Sequence, residues 1–282
     1  MTLTTCEIPW NPNLILKSLP FIFVFACTTP VLAHELWIEP EAFEAQSGGA
    51  VNAALVNGQD FEGRSLAYAT RSIERLEYLS GGTFHDIEGL LGSRPAIQLN
   101  DVRDGLLILG YVSKAARLNY KTWDKFAAFA EKKGLENALS THTAMGIDPQ
   151  EFDEGYTRFS KSLVGVGSAL GSDQTFDFEA EFVALDNPYS NDLTEISLTL
   201  NYQTEPRSNA LVEVFERDGM GSISKFNATT NDEGIVTIPV KPGHAYMLDT
   251  VVFRAPSAKL LDRMEVDWET LWANITFAIP NN

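Results

Sequence analysis

The chain has 282 residues, 44% of them hydrophobic, and sets 21 basic against 38 acidic side chains, for a net charge of −17 at pH 7. That charge argues against nucleic acid or anionic lipid as a partner and favours attraction of cations, or it only keeps a secreted protein soluble. The two cysteines, Cys6 and Cys27, fall within residues 1–33, so the remainder has neither a disulfide nor a thiolate metal site.

Residues 1–33 read as a secretory signal. Lys17 gives the positive flank and residues 19–26 a short apolar core. Val31 and Ala33 put small residues at the third and last positions before a cut ahead of His34. The apolar run is too short to span a membrane. Val24-Phe25-Ala26-Cys27 also loosely fits a lipoprotein box, which would tether the chain through Cys27, but Phe25 is bulky where a small residue belongs. Either way the expectation is a periplasmic or secreted protein. The mature part, residues 34–282, is long enough for one large or two smaller cores.

From His34 to about Ser113 the pattern is strand. Short apolar runs at 51–56, 66–69, 73–79, 96–99 and 106–112 are separated by turns at Ser47-Gly48-Gly49, Asn57-Gly58, Ser80-Gly81-Gly82 and Asp104-Gly105. The period then changes. Trp123, Phe126, Ala127 and Ala130 follow helical spacing, with Lys132 and Lys133 in the last turn and Gly134 as a stop. Residues 135–145 predict a second short helix. Asp148-Pro149-Gln150-Glu151 has the form of a helix start, and Phe152, Tyr156, Phe159 and Leu163 follow at helical spacing. Glu154 and Arg158 could pair on another face of it. The expectation is a helical hairpin inserted at about residues 122–166.

After Gly165-Val166-Gly167 the pattern returns to strand at 176–184, 195–202, 211–216, 222–228, 234–240, 246–254 and 274–279, with a hairpin-type turn at 231–234 and another turn at 241–243. The fold class expected is mainly β. A β-rich N-terminal domain over 34–170 carries the helices, and an immunoglobulin- or transthyretin-like β-sandwich occupies 171–282. The junction falls near 168–174.

His34 carries the sharpest functional reading. As a mature N-terminus it joins a free amine and an imidazole, with reference pKa values of about 7.7–8.0 and about 6.5, on one residue. Together they can close a chelate ring on one ion, and such donors suit Ni(II), Cu(II) or Zn(II). One residue cannot hold a metal alone, so His85 and His244 are partner candidates. Each also has an ordinary reading: His85, beside Asp86, as a solvated turn residue, and His244 as a turn residue leading into a strand. His142 has no ligand at helical spacing. Leu36 at mature position three excludes the familiar N-terminal copper and nickel motif. Glu35 and Glu39 read as surface carboxylates, and Trp37, Trp268 and Trp272 as core aromatics. No nucleophile elbow, phosphate loop, His-Glu-x-x-His or dinucleotide fingerprint is present, and no enzymatic activity is expected.

Four stretches carry a resemblance. They are Ala33-His34-Glu35-Leu36-Trp37-Ile38-Glu39-Pro40, then Asp124-Lys125-Phe126 through Gly134-Leu135, then Tyr156-Thr157-Arg158-Phe159-Ser160-Lys161-Ser162-Leu163-Val164. The last is Thr230-Asn231-Asp232-Glu233-Gly234 with residues 268–277. Together they resemble a family of bacterial periplasmic proteins of unknown function (domain of unknown function 4198), over essentially the whole mature chain. The family is often labelled the periplasmic component of a nickel or cobalt ABC uptake system. The resemblance implies a metal-binding accessory protein that handles nickel or cobalt alongside a membrane metal transporter, and the nitrogen donors of His34 add copper to the expected ions. Two other classes stay open: a metal-free structural or adhesive sandwich module, and a copper enzyme with an N-terminal histidine brace, which needs a second histidine on the same metal.

Overall fold

The computed structural model describes Thr2 and residues 34–135 and 137–281. The expected signal segment (apart from Thr2), the cut expected ahead of His34, and Cys27 lie outside the described residues. From His34 onward the described chain belongs to one compact unit. Its first strands are β1 (Glu35–Pro40), β2 (Glu44–Ala45), β3 (Val51–Gln59), β4 (Glu62–Leu66), β5 (Ile73–Ser80), β6 (Thr83–Asp86), β7 (Ile97–Leu99), β8 (Gly105–Ser113) and β9 (Ala116–Tyr120). Helices α1 (Trp123–Lys132) and α2 (Ala138–Ala144) follow, then β10 (Phe152–Val166) and β11 (Ala180–Ala184). The remainder is β12 (Glu195–Tyr202), β13 (Glu205–Pro206), β14 (Leu211–Arg217), β15 (Ile223–Thr229), β16 (Ile235–Pro239), β17 (Ala245–Arg254), a short α3 (Ala258–Leu261) and β18 (Trp268–Ala278).

The fold is mainly β and sandwich-like. Its centre is a ten-stranded sheet in the order β15-β14-β17-β18-β10-β8-β5-β6, with β2 and β9 also paired to β10. β10 and β18 run parallel in the middle, residues 154–162 against 268–276. The sheet takes strands from both sides of residues 168–174. Two four-stranded sheets cover it: β1, β3, β4 and β7 on one face, β11, β12, β13 and β16 on the other.

Alternation along the central strands decides which cover each side chain meets. In β8, Leu107 and Leu109 pack with Leu36, Ile38 and Ala53 of the first cover, while Leu106 and Ile108 pack with Leu198 and Ile196 of the second. A strand buried on both faces reads as an unbroken apolar run. The helices pack beside the first cover, where Phe126 and Phe129 meet Phe152, Trp268 and Trp272. All three tryptophans read as core are buried.

Residues 152–166 correct the sequence reading, for they form a 15-residue strand rather than a helix. Double burial removes the period-two signal, and Phe152, Tyr156, Phe159 and Leu163 meet helical spacing by coincidence. Asp148 Oδ1 accepts the Gln150 N–H at 2.8 Å in a turn instead of capping a helix. Glu154 and Arg158 do not pair; Glu154 accepts from Tyr120 Oη and Thr270 Oγ1. Asn57-Gly58 lies inside β3, and the chain reverses at Asp60-Phe61. The turn at 231–234 leads from the central sheet into β16 of a cover sheet, so it closes no hairpin. The first two helices stand where spacing put them, and Gly134, at φ +64°, ends α1.

Candidate functional site

β1 pairs with β3 along one edge only. Its other edge turns the backbone groups of residues 34, 36 and 38 into the interior, where each unpaired group costs about 1–3 kcal/mol. Side chains take the place of a strand there. Arg158 Nη2 donates to the His34 carbonyl at 2.8 Å, Asn274 Nδ2 to the Leu36 carbonyl at 2.7 Å, and Thr276 Oγ1 to the Ile38 carbonyl at 2.7 Å. The Ile38 N–H donates to Ser160 Oγ at 3.0 Å. The clamping residues stand two apart, Arg158 and Ser160 on β10 and Asn274 and Thr276 on β18, so the pleat aims all of them at β1. His34, half-buried, sits at the end of this ladder.

Glu35 points the other way, into a buried ionic cluster. Lys133, at the cap of α1, brings its Nζ to 3.0 Å from Glu35 Oε1 and 2.8 Å from Asp249 Oδ2, and it also donates to Glu213 Oε2. The Trp272 ring lies 4.7 Å from the same nitrogen. At the rim, Lys225 Nζ is 2.5 Å from Glu213 Oε1 and Lys132 Nζ is 3.6 Å from Glu35 Oε1. Glu35 is 1% exposed, so its reading as a surface carboxylate is overturned. Glu39 is partly buried and paired with Arg217.

Electrostatics divides the cluster. Burial opposes the charge on Lys133, but Asp249, Glu35 and Glu213 outweigh it and hold the ammonium above its usual range. Burial also opposes ionisation of Glu213, yet Lys133 and Lys225 keep that carboxyl below the ordinary value. For Asp249 burial wins and pushes it up to about 7. Glu35 Oε2 and Asp249 Oδ1 have no hydrogen-bond partner.

Glu35, Glu213 and Asp249 are the one group of three or more His, Cys, Asp or Glu, among the described residues, whose ligand atoms lie within 4.8 Å of one another. The cation between them is the protein's own Lys133. No such group includes His34, His85 or His244. His85, on the edge strand β6, stacks on Tyr78 with ring centres 4.8 Å apart. His244 precedes β17, with Nδ1 2.7 Å from Glu216 Oε1, an oxygen that Lys241 Nζ also reaches at 2.7 Å. His142 is buried among Trp123, Phe126 and Phe152, and its Nδ1 accepts from Trp268 Nε1 at 2.9 Å. Burial lowers its pKa, and the ring packs as a core residue.

The fold and the site together define a mainly β protein with a doubly covered central sheet and a first strand held by side chains. The chain belongs to the family described as Domain of unknown function (DUF4198), which matches residues 31–253. No curated protein matches it. Among solved structures, a tetra-tandem repeat in the extending region of a large adhesion protein aligns with 88% of this chain at 11% identity and a TM-score of 0.21. The alignment spans 50% of that protein's length, and the likeness is too loose to carry an argument.

Proposed function

We propose that this protein is a non-enzymatic, periplasmic metal-binding accessory protein that captures nickel, cobalt or copper through His34 as its mature N-terminus. A membrane metal transporter is the partner that receives the ion. The clamp on β1 carries the reading. A two-nitrogen chelate gains from a fixed backbone, and the Arg158 bond to the His34 carbonyl, with the ladder behind it, supplies that fixity. His34 itself is only partly buried. Two nitrogens fill part of a coordination shell, and water or the receiving protein supplies the rest, which suits an ion that must be handed on. The acidic surface raises the local concentration of cations.

The test measures intact mass and metal content together on protein secreted by its own host, then titrates nickel, cobalt and copper. One ion per chain starting at His34 is expected. His34→Ala, and a chain with one extra residue ahead of His34, should both lose it. A chain starting at His34 that takes up none of the three ions sinks the proposal. A second reading, a metal-free structural module, is favoured by one observation: Lys133 fills the three-carboxylate group.

A further inference from the structure

Lys161 lies on the face of β10 opposite the clamp, toward the β11–β12 cover. Its side chain is 1% exposed, and those of Asp173 and Glu181 beside it are 0% and 1% exposed. Lys161 Nζ is 2.8 Å from Asp173 Oδ1 and 3.0 Å from Glu181 Oε1, and it donates to the Gln174 carbonyl at 2.9 Å. The Phe176 ring centre is 5.4 Å away.

Both acids are held in place. Asp173 Oδ1 also accepts the Gln174 N–H, and Oδ2 the Ala184 N–H, each at 2.8 Å. Glu181 accepts from the N–H groups of Phe176 and Phe178 and from Thr175 Oγ1. An amine, a carboxyl and a second carboxyl therefore meet in fixed contact in the interior. Burial, opposed by Lys161, pushes the Asp173 carboxyl above its usual range.

We propose that Lys161 and Asp173 condense into an intramolecular isopeptide bond, with Glu181 carrying the proton. Glu181 takes one proton from the ammonium, and the freed amine attacks Asp173 Cγ. The N–H of Ala184 steadies the negative charge that grows on Oδ2. The tetrahedral centre then collapses, a C–O bond breaks, and that oxygen leaves as water. Two of the three ammonium protons go with it, one of them through Glu181, and the third stays on the amide nitrogen. Glu181 ends in the state in which it began, and no oxidant or reductant takes part. Fixed contact replaces an encounter in solution, and well-oriented intramolecular reactions reach effective molarities of about 10⁵–10⁸ M. The Lys133 cluster differs, because its ammonium is divided among three carboxylates on three strands.

Intact mass reads the bond directly. The purified chain should be lighter by one water than its sequence requires from its observed first residue. Proteolysis between residues 162 and 172 should leave two segments joined through Lys161 and Asp173. Lys161→Arg keeps the cation but should restore the full mass, and Glu181→Gln should restore it with an unchanged circular dichroism spectrum. A wild-type chain of full mass after prolonged incubation overturns the proposal, as does a lost water that fragmentation places elsewhere. Glu181→Gln still lighter by one water overturns the role of Glu181. None of these readings depends on a metal at His34.

Discussion

Lys133 and Lys161 are the two lysines buried among the described residues, and they are held in opposite ways. Lys133 comes from the end of a helix and meets Glu35, Glu213 and Asp249, which stand 98, 80 and 116 residues away in the chain. Two carboxylate oxygens there remain unpaired. Lys161 belongs to the central sheet and meets acids from the segment just after its own strand, where every carboxylate oxygen has a donor. The contrast separates two uses of buried charge. At Lys133 it docks a helical insert onto three distant strands, and at Lys161 it sets the connection between the central sheet and its cover.

Breaking the first cluster should have the largest effect. Lys133→Met removes the one cation that touches all three buried carboxylates, and an uncompensated buried charge costs about 3–5 kcal/mol. Urea unfolding should show a lower midpoint at an unchanged slope. A loss below about 1 kcal/mol would mean that the rim lysines, Lys132 and Lys225, already neutralise the site.

A smaller effect sharpens the comparison by removing a neutral contact from the same strand that carries Glu35. Asn274→Ala leaves the Leu36 carbonyl without its donor. The expected loss is about 1–3 kcal/mol, with faster amide exchange along β1 than along β18. Equal losses for Lys133→Met and Asn274→Ala would erase the distinction between ionic docking and neutral clamping.

Part of this was legible in the residues. Turn chemistry and apolar runs marked most strands, and helical spacing marked α1. What hid β10 was its burial on both faces, and with β10 read as a helix the Arg158 clamp on His34 was out of reach. The ionic clusters left a weaker trace. Glu213 interrupts Leu211-Val212-Glu213-Val214-Phe215, and Asp249 interrupts Met247-Leu248-Asp249-Thr250-Val251, so each is a charge inside an apolar strand. Such a charge announces a buried partner without naming it, because the partner is chosen by sheet topology. Lys133, next to a helix stop, reads in the sequence as an ordinary last-turn cation.

The smallest effect tests how the Lys133 cluster carries its protons. Burial lifts Asp249 from 3.8 to about 7, with Glu35 and Glu213 pushing the same way and Lys133 opposing. The charged groups around the site are Glu35 from β1, Glu213 from β14, Lys133 beyond α1, and at the rim Lys132 and Lys225, both within reach of Asp60. The native state thus holds a proton that the unfolded chain releases near pH 4. This contribution is complete below about pH 4 and is lost as pH rises toward about 7. Asparagine imitates the neutral carboxyl, so Asp249→Asn should change stability little at pH 4 and gain on the wild type as pH climbs to 7. Taking the difference between the two proteins cancels the remote Glu216 and Glu269, whose lowered pKa values tilt stability in the opposite direction. A difference that stays flat from about pH 4 to 8 would mean that Asp249 is ionised throughout, with Lys133 outweighing burial. The Lys133 cluster would then hold all three carboxylates charged.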